Sequence, residues 1–321
     1  MKKIGVLTSG GDAPGMNCAI RAVVKTAIGA GLVVAGIRRG FRGLFEDDII
    51  ELNARSVSGI INRGGTILRT IRFPELKERD VQAVCFENLK KRKIDGLVVI
   101  GGDGSSRGAS ALYQNFGFPV CVIPASIDND VYGTDETVGF DTAVNTAIEA
   151  IDKIRDTATS HERIFVVEVM GREHGFLALD VAIASGAEIV MIPEKPITIR
   201  KVVEILEVDR IKGKVSFLVV VAEGAGRAHE VAKEITQLMP EAEARYSVLG
   251  YIQRGGTPTY QTRCLATMFG NAAIKGLVDG LTHFMVGIHG TEIVRVDLKE
   301  VVSNTKHISE EKLKLVEAMA I

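Results

Sequence analysis

Short β-branched runs alternate along this chain with longer stretches in which apolar residues recur every three or four positions. The runs expected as strands lie near Lys3–Thr8, Val33–Ile37, Leu97–Ile100, Val120–Ile123, Ile164–Val169, Ile189–Ile192 and Phe217–Ala222. Several are apolar on both faces, the pattern of parallel strands covered by helices. After Asn17, the residues Ile20, Val23, Val24, Ala27 and Ile28 keep an i, i+3, i+4, i+7, i+8 spacing, which predicts a helix with one core face. A second helix is expected from about Asp141 to Arg155, turning Val144, Ala147, Ile148 and Ile151 inward. Strand and helix in alternation predict a doubly wound α/β fold with mainly parallel sheets, its ligands at the C-terminal ends of strands. At 321 residues the chain exceeds the usual single core, so two domains are expected, interwoven by more than one chain crossing.

Composition narrows the function classes. Lys+Arg 39 against Asp+Glu 40 leaves a formal charge of −1, which gives no reason to expect nucleic acid; any anion site must come from local clusters. Cys18, Cys85, Cys121 and Cys264 are scattered, with no spacing for zinc or a disulfide framework, and a reducing cytosol suits them. Ile4-Gly5-Val6-Leu7 is too short an apolar core for a signal peptide. No apolar run approaches the roughly 18 residues of a membrane span. A soluble, cytoplasmic protein is expected.

Three loops carry candidate chemistry. Thr8-Ser9-Gly10-Gly11-Asp12-Ala13-Pro14-Gly15-Met16-Asn17 joins a strand to a helix. Glycines let backbone approach a phosphate, and N–H groups at a helix start favour negative charge. An ordinary strand-to-helix turn has the same composition, so this loop alone leaves both readings open. Gly101-Gly102-Asp103-Gly104-Ser105 sets a carboxylate inside glycines after the next strand, which suits Mg²⁺ held against phosphates. An Asx-turn without metal is the alternative. Pro124-Ala125-Ser126-Ile127-Asp128-Asn129-Asp130 places two acids two residues apart, one able to sit near metal and one to accept a proton from an attacking hydroxyl. A solvated acidic turn becomes a poor explanation once three such loops follow three strands.

Cations suited to a phosphorylated substrate come later. Arg163 precedes a strand, Met170-Gly171-Arg172 follows it, and Arg245 and Arg254 flank Val248–Gln253. Arginine's planar fork matches phosphate oxygens, so convergence of several implies a phosphate ester, although any one alone is more often a surface residue. Glu223, at a strand end, suits sugar hydroxyls or is a plain loop acid. The six histidines show no metal spacing.

Taken in this order, Leu7–Asn17, Gly101–Ser105, Ile127–Asp130, Thr157–His161, Glu168–Arg172 and Gln253–Gly256 resemble the bacterial phosphofructokinase family from Lys3 to about Gly290, with a weak match after Val294. The resemblance implies two Rossmann-like three-layer αβα domains. An ATP-binding domain is expected at 1–138 plus about 252–303, and a sugar-phosphate domain at 139–251 plus about 304–321. It implies transfer of the ATP γ-phosphoryl to the 1-hydroxyl of fructose 6-phosphate, the committing step of glycolysis. Asp128 would be the base, Asp103 the Mg²⁺ ligand, and Asp130 close to the metal or the transferring group. Arg172 would offset charge on the phosphoryl oxygens. Gly11, Arg72, Phe73, Gly102, Asp103, Gly104 and Ser105 would bind ATP. Ser126, Ile127, Asp128, Met170, Gly171, Arg172, Glu223, Tyr251 and Arg254 would line the sugar-phosphate site. Arg163 and Arg245 would reach a neighbouring subunit's site in a D2 homotetramer. An effector site for ADP or phosphoenolpyruvate would draw on Arg21, Lys25, Arg155, Glu188, Lys212 and Lys214.

Departures from the family pattern bear on these expectations. Ala54 stands for an effector-site arginine, Val215 for a lysine, Tyr251 for a histidine, Ser126 for a threonine, and Phe41 for a tyrosine whose hydroxyl lies near the nucleotide phosphates. Pyrophosphate-dependent relatives carry aspartate at the position of Gly104 and lysine at that of Ala125; the small neutral pair here leaves room for ATP. The competing readings are a pyrophosphate-dependent enzyme and a non-catalytic sugar-phosphate sensor. The arginines near Met170 and Gln253 speak against a lipid or NAD kinase.

Overall fold

Each of the seven β-branched runs forms a strand in the computed structural model, which describes residues 1–319. The chain begins with β1 (Lys3–Thr8), α1 (Met16–Gly29), β2 (Val33–Ile37), α2 (Gly40–Phe45) and β3 (Ile49–Leu52). A 3-10 turn at Pro74–Lys77 leads into α3 (Arg79–Lys91), β4 (Gly96–Gly101), α4 (Asp103–Phe116), β5 (Val120–Pro124) and α5 (Phe140–Ser160). There follow β6 (Ile164–Val169), α6 (Phe176–Ser185), β7 (Ile189–Met191), α7 (Ile199–Ile211), β8 (Phe217–Ala222), α8 (Ala228–Leu238) and β9 (Ala244–Val248). After a 3-10 turn at Gly250–Arg254 come α9 (Tyr260–Val278), β10 (His283–His289), β11 (Glu292–Asp297), α10 (Leu298–Ser303) and α11 (Glu310–Met319).

The chain divides into two compact units. Unit 1 holds Met1–Thr142 and Arg254–Lys306; unit 2 holds Ala143–Gln253 and the chain from His307 on. The sheet of unit 1 runs β11-β10-β5-β4-β1-β2-β3, parallel except for its two edge strands. Its residues alternate between faces as a pleated strand requires. Leu97 and Val99 join the core of Phe41, Cys85, Leu89, Ala109 and Leu112 from α2, α3 and α4. Val98 and Ile100 are equally buried, and α1 and α9 contact β4 and β5 respectively. Gly270 lets α1 and α9 approach closely, since a Cβ there would lie 2.5 Å from that of Ala22. Unit 2 carries the parallel sheet β7-β8-β6-β9. On one side Ile164, Val166, Val219 and Val221 pack with Val202 and Leu206 of α7 and Val231 and Ile235 of α8.

The architecture is α/β with mainly parallel sheets, as expected. The differences lie at the edges and at β10, an interior strand outside the seven expected runs. β3, β9 and β11 are edge strands with exposed polar residues between apolar ones, so their runs are broken. Ile28, expected in the core face of α1, is instead 39% exposed at the last turn of that helix. Cys18, Cys85 and Cys121 are buried free thiols; burial pushes Cys18 up to about 11 and Cys85 up to about 12, and lifts Cys121 well above its ordinary value. Among the described residues, no helix is long and apolar enough to cross a membrane.

Candidate active site

In unit 1 the strand order reverses between β1 and β4: the chain moves from β1 to β2 on one side and from β4 to β5 on the other. Loops leaving such a reversal open a crevice at the strand ends. The loops after β1, β4 and β5 lie side by side there. Ser9 N–H donates to the Ile100 carbonyl at 2.9 Å, and Ala125 N–H to that of Gly101 at 3.0 Å. Gly101 is required for this approach, because a Cβ would fall 2.5 Å from both the Ser9 carbonyl and Ser105 Oγ.

The β1 loop is braced by a long connection. Residues 53–73 contain no helix or strand, a length that in compact domains usually has a purpose. Buried Asn17 donates to the carbonyls of Arg63 and Gly64 at 3.0 and 3.1 Å and accepts from Ile67 N–H at 2.8 Å. Buried Thr8 Oγ1 lies 2.9 Å from both Thr66 Oγ1 and the Arg69 carbonyl. Thr70 Oγ1 donates to the Gly10 carbonyl at 2.8 Å. These bonds fasten residues 63–70 to β1, α1 and the first glycine loop, two residues short of Arg72; Phe73 packs on Phe45 with ring centres 5.7 Å apart. The motifs did not reveal Thr66 or Thr70, since a lone threonine carries no periodic signal, and gave Thr8 no bracing role.

Arg254 belongs to unit 1, and its guanidinium lies over Gly11. Its Nη1 is 3.9 Å from Asp12 Oδ1 and its side chain is only 15% exposed. Thus a residue expected at the sugar phosphate lies against the first glycine loop. Asp103 is the first residue of α4, with Oδ2 accepting from Arg107 at 2.9 Å. Gly104 has no atom within 4 Å of where a Cβ would stand, and Ser105 is buried in the first turn. Phe41, where the family has a tyrosine, is buried against Gly108 and Leu76 and so serves the core.

The β5 loop is tied internally. Ser126 Oγ donates to Asp130 Oδ1 at 3.3 Å and accepts from Asp128 N–H at 3.2 Å, so one hydroxyl links both acids. Ile127 and Asp128 are buried, and Asn129 between the acids has φ 52°, the left-handed region. Among the described residues, no group of three or more His, Cys, Asp or Glu could enclose a metal.

Unit 2 gathers a second set at the C-terminal ends of β8, β6 and β9. Met170 N–H donates to Gln253 Oε1 at 3.0 Å, and Arg172 N–H to Glu223 Oε1 at 2.8 Å. Gly171 at φ 137° and Arg172 at φ 53° make the bend. Glu168, buried, receives Arg227 at 3.2 Å and Ala228 N–H at 2.8 Å, which anchors the start of α8. Tyr251 is 82% exposed. Arg163 and Arg245 are not with this set. Both bind Glu243 near the start of β6 and β9, the opposite end of strands about five residues or roughly 17 Å long.

Of the effector candidates in unit 2, Lys214 pairs with buried Glu188 at 2.7 Å, and Arg155 donates to the Ser185 and Gly186 carbonyls just before it. Lys212 instead pairs with Asp209 at 3.1 Å. Arg21 and Lys25 lie on α1 in unit 1, Lys25 exposed. A groove of about 430 Å³ lined by Tyr113, Leu281, His283 and Asp297 lies by the N-terminal ends of β5 and β10 and holds none of the candidate residues.

Comparison with known proteins places this geometry. The family model described as Phosphofructokinase matches residues 3–277. The ATP-dependent 6-phosphofructokinase 1 of Thermus thermophilus is 51% identical over 100% of both chains, and the ATP-dependent 6-phosphofructokinase of Caldanaerobacter subterraneus is 48% identical over 100% of both. The solved phosphofructokinase of Saccharomyces cerevisiae superposes with a TM-score of 0.89 at 35% identity, covering 100% of this chain and 48% of the yeast chain, so this chain spans about half that relative's length. A pyrophosphate-dependent phosphofructokinase from Marinobacter aquaeolei shares the fold, with a TM-score of 0.84 at 21% identity over 100% of this chain and 92% of that one.

Proposed function

The chain belongs to the phosphofructokinase family, and from that premise we propose that it moves the γ-phosphoryl of ATP to the 1-hydroxyl of fructose 6-phosphate, giving fructose 1,6-bisphosphate and ADP. The observation that carries this reading is the pairing of a buried carboxylate, Asp128, with an adjacent glycine-and-acid loop at the strand-order reversal of unit 1.

Each residue then has a chemical task. Asp128 accepts the proton of the 1-hydroxyl as that oxygen bonds to the γ-phosphorus and the bond to the β–γ bridging oxygen breaks. The Gly11 N–H, Arg72 and Arg172 offset charge on the phosphoryl oxygens. Phe73, Gly102, Gly104 and Ser105 hold ATP. Met170, Gly171, Glu223, Tyr251 and Arg254 hold fructose 6-phosphate with Ser126 and Ile127, and Arg163 and Arg245 serve the site of a neighbouring copy. That assignment suits their place at the far end of the unit 2 sheet.

The donor set fits Mg²⁺. This ion takes one or two carboxylates and completes its shell with phosphate oxygens and water, and Asp103 offers Oδ1 while Arg107 occupies Oδ2. Asp103 would hold the ion, which when bound would neutralise charge on the phosphates. Asp130, linked to Asp128 through Ser126, stands ready as a nearby acid.

ATP is favoured over pyrophosphate as donor, since Gly104 leaves open space and Ala125 is buried and uncharged. Tyr246, Val248, Tyr251 and Ile252 in unit 2 are each exposed, and large apolar side chains left exposed suit burial by another copy, in keeping with a homotetramer. ADP or phosphoenolpyruvate would act through Arg21, Lys25, Arg155, Glu188, Lys212 and Lys214, and a cytoplasmic location suits the buried free thiols.

The test is initial rates with fructose 6-phosphate and either ATP or pyrophosphate, for the native chain and Asp128→Ser. Turnover with ATP should fall at least about 100-fold in the variant, with binding of fructose 6-phosphate retained by calorimetry. Activity with pyrophosphate alone, or unchanged turnover in the variant, refutes the proposal.

A further inference from the structure

The loop that carries Asp128 is closed by a residue from the far end of unit 1. Asn129 is buried and left-handed at φ 52°. Asparagine tolerates that region better than most residues, but a fixed conformation there needs support. The Asn129 side chain supplies it: Nδ2 donates to the Asp135 carbonyl at 3.1 Å, and Oδ1 accepts from Thr137 N–H at 3.1 Å. The Thr137 hydroxyl has a single proton, and its shorter contact is with the Ser126 carbonyl at 2.6 Å rather than with Asn129 Oδ1 at 3.3 Å. An amide oxygen has two lone pairs, so one remains. Lys306 Nζ fills it, 2.9 Å from Asn129 Oδ1, and at the same distance donates to the Asp135 carbonyl. One ammonium therefore bridges both ends of the bulge at 129–135.

The bulge is fastened on its outer side as well. Asp135 N–H donates to the Ile288 carbonyl at 2.8 Å, Ile288 N–H donates to Thr134 Oγ1 at 3.1 Å, and Gly290 N–H donates to Asp135 Oδ2 at 2.7 Å. What these bonds leave unfastened is the inner corner, where Asn129 sets the backbone direction of Asp128 and Asp130. Lys306 joins that corner to the Asp135 carbonyl with a charged donor, the stronger class of hydrogen bond.

We infer that Lys306 is a positioning residue for phosphoryl transfer: through Asn129 it holds the Asp128 carboxylate in its reactive orientation. The inference rests on the assignment of Asp128 as base. A misplacement of the order of an ångström in a reacting group costs far more in rate than in binding, so the effect falls on turnover.

Lys306→Met keeps the length of the side chain and removes its donors; Lys306→Arg restores charge and donors. The expected result is a kcat lowered about tenfold in Lys306→Met, KM for ATP within about twofold of native, and partial recovery in Lys306→Arg. Amide hydrogen exchange over 126–137 should quicken in Lys306→Met, most of all at the Thr137 N–H. Native kcat in Lys306→Met overturns the inference, whether or not exchange quickens. So does a lowered kcat without faster exchange, since the loop would then not be the intermediary. Should Lys306→Met fail to fold, Lys306→Gln, which keeps a neutral donor, is read by the same two measurements. If the native chain phosphorylates nothing, the assignment of function falls, while the exchange measurement still decides whether Lys306 holds the loop.

Discussion

Gly11→Ala isolates the close approach between the first glycine loop and Arg254. A Cβ at position 11 would lie 2.6 Å from Nη1 and 3.4 Å from Cζ of Arg254. Carbon–nitrogen contact is comfortable at roughly 3.5 Å, so the guanidinium must withdraw by about 0.9 Å. The obstacle is the far end of a flexible side chain, so the fold accommodates it at a cost of order 1 kcal/mol. Catalysis has less latitude. A shift of that size in a group that holds the reactants lowers kcat/KM by about 10- to 100-fold, or about 1.4 to 2.7 kcal/mol of transition-state stabilisation. The assay couples fructose 1,6-bisphosphate formation to oxidation of a reporter nucleotide and compares kcat/KM with Tm by calorimetry. Gly29→Ala is the control: at the end of α1 nothing lies within 4 Å of its Cβ, so it should retain native rates and gain up to about 1 kcal/mol. Native kcat/KM in Gly11→Ala with an unchanged Tm would refute the reasoning, for it would mean that the position of Arg254 over Gly11 is irrelevant to the reaction.

Thr70→Val removes the bond from Oγ1 to the Gly10 carbonyl, worth about 0.5–1.5 kcal/mol. It should raise KM for ATP about 2- to 10-fold by the same measure, while Thr70→Ser stays near native; equal KM values in steady-state kinetics would exclude the bracing role of the 53–73 loop. His283 is stacked on Tyr113 at 4.3 Å, with Ser110 Oγ 3.0 Å from Nε2 and Asp297 Oδ1 3.3 Å from Nδ1. Burial holds its pKa below the ordinary 6.5 despite the attraction of Asp297. The unfolded chain therefore takes up a proton at this residue before the folded chain does, and stability drops as pH falls from about 6.5 toward the lower folded value. Tm measured from pH 7.5 to 5.5 should decline less steeply in His283→Gln than in the native chain; parallel slopes would rule this out.

Apart from β10, which begins and ends in histidine and was not among the expected runs, the core strands were legible because parallel strands covered on both faces are written as unbroken apolar runs. Lys3–Thr8, Ile164–Val169 and Phe217–Ala222 are buried at nearly every position. The edge strands were not: Ala244–Val248 alternates Arg245 and Ser247 with apolar residues and is partnered on one side only. The glycine-and-acid loops were visible for a different reason. A sharp turn beside a phosphate restricts residue types at neighbouring positions, and neighbours are what a motif records.

By itself, then, the chain's order of residues determined the strand–helix alternation, the three strand-end loops and the family resemblance. All of these are local requirements, met within a few residues. Only the tertiary structure decided that Arg254 covers Gly11, that Asn17 and Thr70 bind the 53–73 connection to the first loop, and that Arg163 and Arg245 share Glu243 away from Arg172. Lys306 is a further case, meeting Asn129 across 177 positions of sequence. A hydrogen bond between such distant residues leaves no periodic trace, because its geometry is set by the packing of the sheet and not by either segment alone.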